Sequence, residues 1–196
     1  MAETFEKQLA TVAGTIHRVY MDGGEHQHRM ENGLLYYFNK ANDLRKSTEI
    51  LMANGGSRDT WSMLAGMSLE VLLKGIARAL DNPAKPTHSL TDLAKHVGIA
   101  FTEDEGIILD VMSEHIYWAG PYTAPRKPED WIKVWELQSK QRRPSGKLAD
   151  MDIPSRTISI GTYRRLWAKF ANCFHQARES RYESAEFKWE QESRKT

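Results

Sequence analysis

Glu70 and Lys74 are the first residues in this chain whose types and spacing invite chemistry. They stand four apart with the acid N-terminal, the favoured orientation for a helical ion pair, in a segment otherwise apolar on two sides. On a solvated face such a pair stabilises by about 0.2–0.5 kcal/mol. Facing a cleft, it would offer a carboxylate and an ammonium to a ligand. His26 and His28, with Glu25, place three potential metal donors within four residues. No cysteine or acid at a recognised spacing joins them, so they read as loop histidines and no metal site is expected. The remaining histidines, His17, His88, His96, His115 and His175, fall on or beside helical segments.

Other reaction classes find little support. There is no G-x-S-x-G, and the single cysteine, Cys173, lies among Trp167, Phe170 and Phe174 on one helical stripe, a packed position. It cannot form an intramolecular disulfide, which fits a reducing compartment. Gly23-Gly24 and Gly55-Gly56 lack the Lys-Ser/Thr of a phosphate-cradling loop, so no cofactor is expected. The basic stretch from Lys140 through Arg142 and Arg143 to Lys147, with Arg164, Arg165, Arg178 and Arg181, could face phosphates while Trp131 and Trp135 stack on bases. Acids are interleaved at Glu136, Asp150, Asp152, Glu179 and Glu183, and a solvated helix face explains the same pattern.

The elements that must position these residues are helices. Phe5, Leu9, Val12, Ile16 and Val19 mark an amphipathic N-terminal helix over 1–22, stopped by Asp22-Gly23-Gly24. A second helix is predicted from about Leu34 to Ala53, with Leu34, Tyr37, Phe38, Ala41, Leu44, Thr48 and Leu51 inward. The next carries Trp61, Leu64, Ala65, Ser68, Leu69, Leu72, Ile76, Ala79 and Leu80 on one stripe and Met63, Met67 and Val71 on another. That two-sided pattern marks it as the central helix. Ser89-x-x-Asp92 predicts the start of a short helix closed by Gly98, and Thr102-x-x-Glu105 the start of a longer one with Ile108, Leu109, Met112, Ile116 and Tyr117 inward. The last helix carries Tyr163, Trp167, Phe170, Phe174 and Ala177, continuing into a charged tail after Arg181.

The expected fold is therefore all-α: an up-and-down bundle of four to five long helices, its core at 31–119 and 157–190. A proline-rich inserted loop over 120–156 precedes the last helix, with a short amphipathic helix docked through Trp131, Val134 and Trp135. The 196 residues, 40% hydrophobic, suit one domain without staples. A net charge of +1 gives no global attraction to nucleic acid or an anionic membrane, and no apolar run is long enough to span a bilayer. A cytoplasmic protein is expected.

Trp61-Ser-Met-Leu-Ala-Gly-Met-Ser-Leu-Glu-Val-Leu-Leu-Lys-Gly75, followed by Thr87-His-Ser-Leu-Thr-Asp-Leu93, resembles the second helix and following loop of the HEPN (higher eukaryotes and prokaryotes nucleotide-binding) superfamily. Ile116-Tyr-Trp-Ala-Gly-Pro-Tyr-Thr-Ala-Pro125 resembles the W-x-G-R-Y-P-x-P ending of the third helix in bacterial members. The resemblance implies a helical bundle, usually homodimeric, in proteins linked to nucleotide binding, RNA cleavage, toxin–antitoxin pairs and phage defence. It carries over Glu70, Lys74, His88, Trp118, Tyr122 and Arg126 as ligand-binding candidates.

Ribonuclease members carry an arginine followed after four to six residues by a histidine, and this chain has no such pair. Seven residues separate Arg18 from His26, and nine separate both Arg78 from His88 and Arg165 from His175. Pro121 stands where the bacterial pattern has arginine. The reading that follows is a noncatalytic nucleotide- or RNA-binding module. An alternative is a divergent metal-independent ribonuclease with His88 or His115 as general base and Lys74 or Arg126 opposing the phosphorane charge. A third is a protein-interaction bundle using Trp131 and Trp135.

Overall fold

The computed structural model describes residues 26–84, 86–119, 127–140, 142–144, 152–154 and 158–193. The expected N-terminal helix over 1–22 lies outside them, as do Pro121, Tyr122, Arg126 and Lys147. The chain divides into two compact units, 1–36 and 37–196. In the first, the described residues form the opening turns of helix α1 (His26–Ala53). The helix starts at His26, eight residues before the expected Leu34. His26 and His28 are thus helical positions two apart, turned about 200° from one another.

Among the described residues of the second unit, six helices carry the fold: the remainder of α1, α2 (Arg58–Ala79), α3 (Leu90–His96), α4 (Glu103–Glu114), α5 (Pro128–Lys140) and α6 (Ile160–Ser193). A π-helical turn, His115–Ala119, extends α4. Among the described residues the one β pairing is a short antiparallel ladder inside the predicted insert, Arg142–Pro144 against Asp152–Pro154. No helix among the described residues is long and apolar enough to cross a membrane.

Helix α2 is central, packing against α3, α4, α6 and the π turn. Its first stripe is as predicted through Ala65, Ser68, Leu69, Leu72, Ile76 and Ala79. Its second buried face differs: Ser62, Gly66, Leu73 and Ala77 are inside, while Met63, Met67 and Val71 are half-buried. Small residues win that face because neighbours come close. A Cβ on Gly66 would stand 2.9 Å from Ile116 Cδ1 and 3.0 Å from the Met112 carbonyl oxygen. On the other side of the helix, beside the first stripe, one on Gly75 would stand 2.8 Å from Tyr37 Cβ and 3.0 Å from Phe174 Cε2. Leu80, expected on the stripe, follows the last helical residue and is exposed.

Both predicted caps are present. Ser89 Oγ accepts from Asp92 N–H, and Thr102 and Glu105 form a reciprocal capping box. Gly98, at φ +73°, closes α3: its N–H donates to the Lys95 carbonyl and that of Ile99 to the Ala94 carbonyl, so the chain turns through a left-handed residue. Ile108, Leu109 and Met112 are buried as predicted, but Tyr117 points out. At helical spacing Tyr117 stands seven residues after Asp110, so it falls on the polar face with Ser113 and Glu114 and not on the buried stripe.

Helix α6 buries Tyr163, Leu166, Phe170 and Phe174, and Phe38 of α1 packs against the rings of Trp167 and Phe174. It remains helical well past Arg181. Arg181 Nη1 donates to the carbonyls of Arg78 and Ala79 and pairs with Asp81, capping the C-terminus of α2. Helix α5 buries Val134 and Leu137. Trp135, expected at the docked face, is exposed because the buried stripe runs one position round the helix.

Candidate functional site

Glu70 projects from the central helix and is 7% exposed. Lys74, one turn on, donates from Nζ to Glu70 Oε1 at 2.5 Å. His88 reaches the same carboxylate from the segment before α3, its Nδ1 lying 3.1 Å from Oε2 and 3.2 Å from Oε1. That segment is clamped. Ser89 N–H donates to Thr87 Oγ1, Leu90 N–H to Ser113 Oγ on α4, and Thr91 Oγ1 to Asp110 Oδ1. A local cap signal and two polar residues of α4 therefore fix where His88 stands.

A carboxylate only accepts, so the Glu70 contact assigns a proton to His88 Nδ1, and whenever the ring is neutral it is Nε2 that carries the lone pair. Among the described residues Nε2 has no protein partner. A buried acid thus orients an accessible base, while Lys74 balances the acid's charge.

His88 also lines an open groove of about 530 Å³. Thr87 and Ser89 join it on one wall, Asp110, Ser113, Glu114 and Tyr117 on a second, and Asp130, Lys133 and Leu137 of α5 on the third. Glu114, buried, pairs with Lys133. Three carboxylates against one ammonium make this groove a poor seat for a run of phosphates. It suits a ligand that donates hydrogen bonds through amino or hydroxyl groups and presents a flat face to Tyr117.

Of the six carried-over candidates, the structure brings together Glu70, Lys74 and His88. Trp118 belongs to the π turn, its side chain outside the described set, and Tyr122 and Arg126 lie outside altogether. His115 is elsewhere. It is 3% exposed, its Nδ1 donating to the Val111 carbonyl and its Nε2 lying 3.2 Å from Asp59 Oδ1 on the first turn of α2. With both nitrogens engaged it fastens two helices.

Asp110, Ser113 and Glu114 were not singled out from the sequence, and Tyr117 was expected in the core rather than at a site. Their signal was available, since i, i+3, i+4, i+7 is one helix face and this one is polar.

Of the arginines considered for phosphate binding, the side chains of Arg142 and Arg143 lie outside the described set and the other four have partners within the chain. Arg164 pairs with Glu49, Arg165 donates to Thr162, Arg178 lies over the Tyr182 ring and Arg181 caps α2. Among the described residues no group of three or more histidines, cysteines and acids is placed to hold a metal ion.

No family model matches the chain, and comparison with curated proteins and with solved structures returns no match.

Proposed function

We propose that the chain is a HEPN-like module that binds a nucleotide without cleaving it, through Glu70, Lys74, His88 and the groove beside them. In this reading it is an up-and-down, homodimeric bundle acting in a bacterial defence or toxin–antitoxin setting. One observation supports it above the rest: residues carried over from two separate segments of the resemblance converge within hydrogen-bond distance, and one of them, His88, lines a nucleotide-sized groove. The groove's carboxylates and hydroxyls favour the base and ribose as the handle, with Tyr117 as a stacking face. A mononucleotide fits that chemistry better than a stretch of RNA, whose phosphates would meet Asp110 and Asp130.

Calorimetric titration with adenosine and guanosine monophosphates, and with short RNAs, tests the reading. Mononucleotides should bind more tightly than RNA at equal nucleotide concentration. Glu70→Gln and His88→Ala should each weaken binding about 10-fold, the effect of one charge-assisted hydrogen bond lost. No mononucleotide binding, or variants that bind like the parent, would sink it.

The Glu70–His88 pair also supports the ribonuclease alternative, because a carboxylate-oriented imidazole with a free Nε2 is the arrangement of a general base. Incubating RNA with the protein in chelator decides between the two. Cleavage lost in His88→Ala and kept in His115→Ala would favour the enzyme; no cleavage leaves the binding module.

A further inference from the structure

We infer that the outer face of α5 is the surface through which two copies of this chain associate. Val134 and Leu137 hold α5 to the protein from one side. On the opposite side Ile132 and Trp135, three apart, are 57% and 69% exposed. A tryptophan this open, beside a second large apolar residue, is the composition of an interface centre rather than of a solvated helix.

The charges beside it identify the occupant. Glu129, Lys133, Glu136 and Lys140 are all exposed and follow at steps of four, three and four, so they form one flank of the helix. Read backwards, that string has the same spacing with every sign exchanged. When two copies of α5 lie antiparallel about a two-fold axis, this flank of each faces the same flank of the other. A single register then sets Glu129 against Lys140 of the second copy and Glu136 against its Lys133, four pairings in all by symmetry. The same register centres the two Trp135 rings on the axis, with an Ile132 on either side. The acids also stand four residues before a lysine within their own helix, and Lys133 pairs with Glu114. The charges therefore set register and orientation, while Trp135 and Ile132 supply the strength.

Lys133 lines the groove, so this pairing brings Glu136 of the second copy to its rim. The inference rests on the homodimer reading above and not on nucleotide binding.

Sedimentation velocity of the full chain over a concentration series up to roughly 100 μM is the test. The wild type should be dimeric. Trp135→Glu should raise the dissociation constant at least about 30-fold, with helix content by circular dichroism unchanged because the side chain is exposed in the monomer. Ile132→Ser is the milder second variant and should weaken association about 5-fold or more. Glu129→Lys with Glu136→Lys should weaken it about 10-fold at low ionic strength and less in high salt. A monomeric wild type would overturn both this surface and the homodimer reading. A dimer that persists in Trp135→Glu would overturn this surface alone. Charge reversal without effect at low salt would overturn the antiparallel register.

Discussion

Tyr163 ties the last helix to the central one by a hydroxyl as well as by bulk. Its ring is fully buried and its Oη lies 2.6 Å from Ser68 Oγ. Burial pushes the phenol up to about 12, against the hydrogen bonds from Ser68 and Thr48 that favour the phenolate. The folded value is raised, so the associated stability is fully present below the ordinary value near 10.0 and is lost as pH climbs through about 12. Urea unfolding midpoints should therefore fall between these limits. Tyr163→Phe should be about 1 kcal/mol less stable at neutral pH and lack this part of the alkaline decline. Arg181 works at the same scale. Arg181→Ala strips the α2 C-terminus of two donated bonds and leaves Asp81 without its guanidinium, which should cost about 1–2 kcal/mol in a denaturant melt. Nothing in the spacing of Arg181 announces this role, because a cap supplied about 100 residues away leaves no local pattern.

At the scale of elements, what depends on near neighbours was legible. The Thr102–Glu105 box and the Ser89 cap rest on residues three apart, and Thr102→Ala should lower the thermal midpoint by the equivalent of about 1 kcal/mol. The stripe Tyr163, Phe170, Phe174 was readable for the same reason. What depends on a partner helix was not. Gly66 and Gly75, on opposite faces of α2, stand where Ile116 on one side and Tyr37 and Phe174 on the other occupy the space that a side chain would need. Tyr117 falls with Asp110, Ser113 and Glu114 on the groove face, a polar stripe that the apolar period of α4 does not mark. Gly75→Ala must displace Tyr37 or Phe174 and should destabilise by about 1–3 kcal/mol, measured by chemical denaturation.

Over the whole second unit, two clips hold α6 to its neighbours, Glu49–Arg164 to α1 and Glu105–Lys169 to α4. The Arg164 hydrogen bond, opposed by burial and helped by the charge of Arg45, lowers the Glu49 carboxyl. Burial raises Glu105, but Lys169, the Thr102 N–H and the charge of Arg165 outweigh it and the net shift is downward. Both folded values lie below the ordinary 4.5, so this stability is present above that pH and lost as pH falls through the lowered values. Arg164→Ala and Lys169→Ala should each move acid unfolding, followed by circular dichroism, to higher pH. Added salt should shrink the difference. Half of the candidate site was legible before the fold was known, because Glu70, Lys74 and His88 lie in the segments that carry the resemblance. The groove beside them was not, since Asp110 and Asp130 meet across it only once α5 has folded onto α4.

Gly66 and Gly75 bracket Glu70 on the same helix, and neither lines the groove. In a saturation screen scored on abundance, both would tolerate almost nothing, while exposed His88 would accept most replacements. Scored on ligand retention, the order at His88 would reverse and the glycines would stay where they were. Sensitivity by itself would therefore mark the helix crossings as the centre of the protein's work, and only the difference between the two scores would point to the imidazole at the groove.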